Sequence, residues 1–163
     1  MTAMALFTII MTISMGSILS VFDANRKSRS IKTVMTNLNI AVESMSKEMR
    51  FGENYHCGGG SITQPQNCAS GDTLMSFLSS DDVQITYRFS GTAIEKEVDG
   101  DGFIPVTAPE LLVDSLTFYT LGADTGNTLQ PKVIIKIKAH VGSGKSRADL
   151  TLQTLVSQRN LDI

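Results

Sequence analysis

The first 22 residues, MTAMALFTIIMTISMGSILSVF, contain no charged side chain. All 14 Lys and Arg and all 16 Asp and Glu follow Phe22 in this 163-residue chain. As a helix rising ~1.5 Å per residue, the run spans ~33 Å, and the hydrocarbon core of a bilayer is about 30 Å thick. A stretch of this kind is predicted to cross a membrane once. A buried core helix of that length would show a polar face. A cleaved signal peptide would place cations before the apolar stretch, but Arg26 is the first cation in the chain.

Within the run, Thr8, Thr12, Gly16 and Ser20 recur every four residues. On a helix that spacing gathers small side chains into one stripe. Small stripes allow membrane helices to approach closely, so these four residues are expected to serve helix packing in an assembly.

Apolar residues return after the polar, mostly basic segment DANRKSRSIK, at Ile31, Val34, Met35, Leu38, Ala41, Val42, Met45 and Met49. Their steps of three and four are helical. Between Met1 and Phe51 there is no Pro, and Gly16 is the sole Gly. Arg50 suits the negative end of a helix, and Gly52 follows as a helix cap would. One helix from about Ala3 to Phe51 is the simplest reading. Two shorter helices broken near Asp23 to Ser30 are the alternative.

The remainder reads as strands. Leu74–Leu78, Val83–Phe89, Thr92–Val98 and Leu111–Leu121 are short apolar or alternating runs, and DGDG at Asp99–Gly102 marks a turn. Val133, Ile135, Ile137, Ala139 and Val141 share one face of a strand, with Lys136, Lys138 and His140 opposite. GSGK at Gly142–Lys145 turns the chain into a last strand at Ala148–Ser157. Short turns imply an antiparallel sheet, and the Ile31–Met49 stripe is its natural cover. The expected fold is therefore α+β. Residues 1–22 form a transmembrane segment, residues 23–52 an amphipathic continuation of the helix, and residues 53–163 a globular sheet domain.

Cys57 and Cys68 flank the short polar loop GGGSITQPQN. Outside the cytoplasm they would pair as a disulfide; in a reducing compartment they would remain thiols. His56 adds a third metal-ligand type beside them, but no fourth is in view. Asp99 and Asp101 have the opening spacing of a calcium loop. Phe103 and Ile104 then occupy the positions where an EF-hand needs an oxygen ligand and a Gly, so these two aspartates are only a weak metal candidate.

Catalytic constellations are not evident. No Ser has a G-x-S-x-G setting, Lys145 lacks phosphate-loop spacing, and His140 stands alone on its strand as a solvated or edge residue. Neither an enzyme nor a bound cofactor is expected. The net charge of −2 argues against a general nucleic-acid binder, and 42% hydrophobic content argues against a disordered chain. That small net charge conceals a division: residues 23–52 carry +3 and residues 53–163 carry −5.

Three segments resemble type IV pilin-like proteins, the group of pilins, minor pilins and type II secretion pseudopilins. ALFTIIMTISMGSILSVFDANRKSRS is similar to their N-terminal helix just past the processing motif. LNIAVESMSKEMRFGENYHC is similar to the helix end and first loop of J- or W-like minor subunits. LTLQTLVSQRNLDI resembles the last strand of such subunits. The resemblance implies a structural subunit, membrane-anchored before assembly. Its partners would be other pilin or pseudopilin subunits, an inner-membrane assembly platform and membrane lipid. A separate ATPase would power extraction.

The family begins with a basic leader, a Gly at the cleavage point and an early Glu. Here Met1 stands just past that motif, so neither the processing site nor the acidic contact has a position to fall on. Arg26, Lys27, Arg29 and Lys32 all lie after the apolar run, and taken alone they would keep the sheet domain in the cytoplasm. The family and the disulfide reading put it on the other side of the bacterial cytoplasmic membrane. A signal-anchored extracytoplasmic binding domain that does not polymerise is the alternative function.

Overall fold

One unbroken helix, α1 (Thr2–Phe51), opens the chain in the computed structural model, which describes residues 2–126, 128–144 and 147–159. Of the residues used above, Met1, Lys145 and residues 160–163 lie outside that set. The helix does not break near Asp23 to Ser30, and its 50 residues run about 75 Å. The absence of Pro and the single Gly permit this continuity.

The end of the helix departs from the cap expected at Gly52. Gly52 N donates to the Met49 carbonyl at 3.1 Å, and its backbone is not left-handed; Asn54 takes the positive φ, at 55°. Gly is required here for space instead. A Cβ on residue 52 would lie 2.5 Å from Phe77 Cδ2 and 2.9 Å from the Leu78 carbonyl oxygen.

The strands form two antiparallel sheets rather than one continuous layer. β1 (Glu53–Cys57), β2 (Leu74–Leu78), β3 (Gln84–Phe89), β4 (Ile94–Val98) and β5 (Ile104–Pro105) make a five-stranded sheet in sequence order. β6 (Leu111–Leu121), β7 (Lys132–Val141) and β8 (Ala148–Ser157) make the second. β1 lacks the alternating apolar signature of a strand, and β5 is only two residues long, so neither was expected from the sequence. The free edge of β6 stitches the sheets together. Val113 N donates to the Thr92 carbonyl at 2.8 Å, Cys68 N to that of Thr120 at 3.1 Å, and Asp72 and Phe118 exchange two backbone hydrogen bonds.

The second half of α1 lies on the second sheet, against β7 and β8 above all. Val34, Leu38, Ala41, Val42, Met45 and Met49 are buried there, and Val133, Ile135, Ile137, Ala139 and Val141 of β7 meet them in a core shared with both sheets. Each fully buried large side chain contributes about 1.5–3 kcal/mol. Ile31 and Met35, expected in that cover, are exposed. Ile31 is on the covered face, but it stands at the end of the sheet, beside Ala148 where β8 begins. Met35 sits about 60° around the helix from Leu38, on its flank.

A polar clamp fixes the helix to the first sheet. Glu48 of α1 accepts a hydrogen bond from the Tyr87 hydroxyl of β3 at 2.8 Å and from Lys96 Nζ of β4 at 2.7 Å. Burial raises the Tyr87 pKa well above its usual value, and the Glu48 carboxylate raises it further.

Candidate functional site

The apolar half of α1 is the part of the molecule without an internal partner. From Ala3 to Arg29 every helical side chain is exposed, including Leu6, Phe7, Ile9, Ile10, Met11, Ile13, Ile18, Leu19 and Phe22. In water a face of that size would be strongly unfavourable, and contiguous apolar patches far smaller already mark interaction surfaces. This is one helix long and apolar enough to cross a membrane, and its most apolar window is wholly unburied.

Thr8, Thr12, Gly16 and Ser20 all lie on this exposed segment. Each four-residue step advances about 40° around the axis, so the stripe winds through about a third of a turn from Thr8 to Ser20. The Thr8 hydroxyl donates to the backbone carbonyls of Met4 (3.2 Å) or Ala5 (2.9 Å). That of Thr12 donates to Thr8 (3.0 Å) or Ile9 (2.9 Å). These bonds satisfy both hydroxyls within the helix, as an apolar surrounding requires. Around Gly16 there is nothing within 4 Å of where a Cβ would stand. The stripe is therefore free for a neighbouring helix and plays no part in holding the sheet domain together.

Cys57 and Cys68 are joined by a disulfide with their Cα atoms 5.6 Å apart. Cys57 ends β1 and is fully buried. The enclosed loop is tied down further. Buried His56 donates through Nδ1 to the Gln64 carbonyl at 2.7 Å, Gln66 Nε2 donates to the Cys57 carbonyl at 2.9 Å, and Asn67 is hydrogen-bonded to Asp124 and to Ala123 N. His56 thus serves the loop's backbone. The pairing and this loop architecture make the disulfide a structural brace of the sheet domain.

Asp99 and Asp101 fall in the turn after β4, where Asp99 takes a positive φ of 53° and Asp101 N donates to the Val98 carbonyl. The structure does not bring a third metal-ligand side chain to them among the described residues. It assembles another group that the sequence reading missed. Asp114, His140 and Asp149 hold ligand atoms within 4.8 Å of one another. His140 is neither alone nor on an edge: β7 is the central strand of its sheet, and His140 Nδ1 lies 2.9 Å from Asp114 Oδ1. Asp149 is its register partner on β8, and a bulge between Val113 and Ser115 turns Asp114 toward it from β6. Arg147 binds Asp149 Oδ1 through Nη2 at 2.7 Å, and this hydrogen bond holds the Asp149 carboxyl below the usual carboxylate range. Arg147 thus already matches the charge of one of the two carboxylates, Asp149, and lies 4.0 Å from the other, Asp114. Strand pairing, which sequence spacing alone does not reveal, was the missing signal.

No protein-family model matches the chain, and no curated protein or solved structure is significantly similar to it.

Proposed function

We propose that this chain is a structural minor subunit of a type IV pilus or type II secretion pseudopilus, anchored in the cytoplasmic membrane before assembly, with its sheet domain extracytoplasmic. The observation that carries the reading is the division of α1: one continuous helix, bare along its apolar half and locked onto a disulfide-braced sheet domain along the other. A lone anchor needs only the apolar run. A filament subunit needs that run to be rigidly continuous with its head, so that subunits stack through their helices while the heads face outward. The small stripe Thr8–Ser20 supports close approach of those helices.

The resemblance of the N-terminal, first-loop and C-terminal segments to pilin-like proteins points the same way. The disulfide supports an oxidising compartment for the head.

Gly16→Leu tests the reading. The substituted position has no neighbours within the protein, so the sheet domain should melt unchanged. Filament incorporation, scored by shearing and immunoblotting beside the assembly machinery, should fall sharply. Normal incorporation of the variant would remove the stripe from the mechanism. A chain that remains an anchored monomer alongside that machinery would sink the subunit reading in favour of a non-polymerising anchored domain.

A further inference from the structure

We infer that the bare stalk between the apolar run and the sheet domain is a seat for anionic lipid headgroups, built by Arg26, Lys27, Arg29 and Lys32. The inference rests on the membrane reading of residues 1–22 and adds a partner of defined chemistry to it.

The geometry is that of a gap. The apolar run ends at Phe22, and burial against the sheet domain begins in earnest at Val34. In between, residues 23–29 and 31–33 are exposed, and only Ser30 is half-buried. Counting along the axis from Phe22, Arg26 stands about 6 Å up, Lys27 about 7.5 Å, Arg29 about 10 Å and Lys32 about 15 Å. Each headgroup layer is about 5–8 Å deep beyond the hydrocarbon. Arg26 and Lys27 therefore fall at phosphate level. Arg29 can reach down to it, because long cationic side chains extend toward the interface, and Lys32 holds its charge just above the headgroups, within a screening length of them.

Charge complementarity selects the lipid. None of the four cations forms an ion pair among the described residues. Asp23 is the sole anion between Phe22 and Val34. Of the cations outside the stalk, Arg88 pairs with Glu95, Lys96 with Glu48 and Arg147 with Asp149, and the exposed Lys136 and Lys138 stand on the sheet domain, away from the end of the apolar run. The stalk thus presents unneutralised positive charge at the depth where a membrane carries negative charge. The attraction between cations and anionic headgroups is the same in either leaflet that carries such lipid, and each cation adds about fivefold in affinity near a charged surface, as basic clusters on the cytoplasmic side do. The seat would fix the depth of the helix and hold the sheet domain clear of the lipid.

The test uses the full chain reconstituted in phosphatidylcholine vesicles with a trace of spin-labelled phosphatidylglycerol or spin-labelled phosphatidylcholine. The motionally restricted fraction of each label is compared. Phosphatidylglycerol should be favoured by about fivefold or more. The preference should vanish in R26Q/K27Q/R29Q/K32Q and in about 0.5 M salt, where the screening length is only a few ångströms. It should survive in K136Q/K138Q, whose cations lie exposed on β7 of the sheet domain. A wild-type chain that stays integrated without preferring phosphatidylglycerol, or an unchanged preference in the quadruple variant, overturns the proposal alone. Loss of the preference when phosphate replaces chloride at equal ionic strength also overturns it, by making the stalk a site for free phosphate. Extraction of the chain by alkaline carbonate overturns the membrane reading and this seat with it.

Discussion

The two halves of α1 have the same backbone and opposite fates. In the first, Leu19 is 61% exposed; in the second, Leu38 is 0% exposed. Both are leucines in a regular helix, so propensity does not separate them. What differs is the arrangement of apolar residues around the axis. The first half is apolar on every side, a pattern that a single sheet cannot cover. The second gathers most of its apolar residues on one face, where the sheet buries Val34, Leu38, Ala41, Val42, Met45 and Met49, and leaves Ile31, Met35 and Ile40 exposed. The lesson is that a helix is assigned its surroundings by the angular width of its apolar surface.

A pair of substitutions separates the two halves most directly. Leu38→Ala should cost the sheet domain about 2–5 kcal/mol, as a buried Leu truncation does. Leu19→Ala should change its stability by less than about 0.5 kcal/mol. Urea unfolding in detergent would read both, and equal losses would mean that the halves are not energetically separate. Next in size is the disulfide. Replacing Cys57 and Cys68 with Ser should cost about 3 kcal/mol by loop entropy and leave the apolar half helical by circular dichroism. A smaller effect is expected at the clamp. Tyr87→Phe removes the hydrogen bond to Glu48 and should cost about 0.5–1.5 kcal/mol. Because burial raises the Tyr87 pKa in the fold, the unfolded chain loses this proton first. Stability from this group is therefore full below the ordinary tyrosine pKa of about 10 and declines as pH rises above it. Tyr87→Phe should flatten that alkaline decline in pH-dependent melts.

The smallest effect lies at the far side of the sheet. Arg147 lowers the pKa of Asp149, so the contribution is present above the ordinary Asp range and fades as pH falls through the lowered value. Arg147→Gln should remove this slight acid dependence, and an unaltered acid titration would show that the pair is screened away at the exposed surface.

Much of this architecture was legible in the sequence because it is periodic. The uncharged run, the three-and-four spacing of Val34 to Met49 and the strict alternation of Val133 to Val141 each declare their own element and buried face. The disulfide was legible because two cysteines close a short loop. Legibility ended where neighbours in space are distant in sequence. Ile31 has the right phase for the core, but only the position of the start of β8 leaves it uncovered. Glu53–Cys57 becomes a strand through pairing with Leu74–Leu78, despite a sequence without alternation. Asp114 joins His140 through a bulge, an irregularity of register that no local pattern announces.

The continuity of α1 also makes it a shaft. No Pro or Gly interrupts residues 17–51, so no hinge of that kind lets the head swivel independently of the segment below. The azimuth of the head is then tied to that of the apolar half. Inserting one residue between Arg29 and Ser30 would turn the head by about 100° and lift it by about 1.5 Å. Seven inserted residues would lift it by about 10 Å yet return it to within about 20° of its original bearing. In the proposed filament, neighbouring subunits would feel the first change as a misaligned surface and the second mainly as added height.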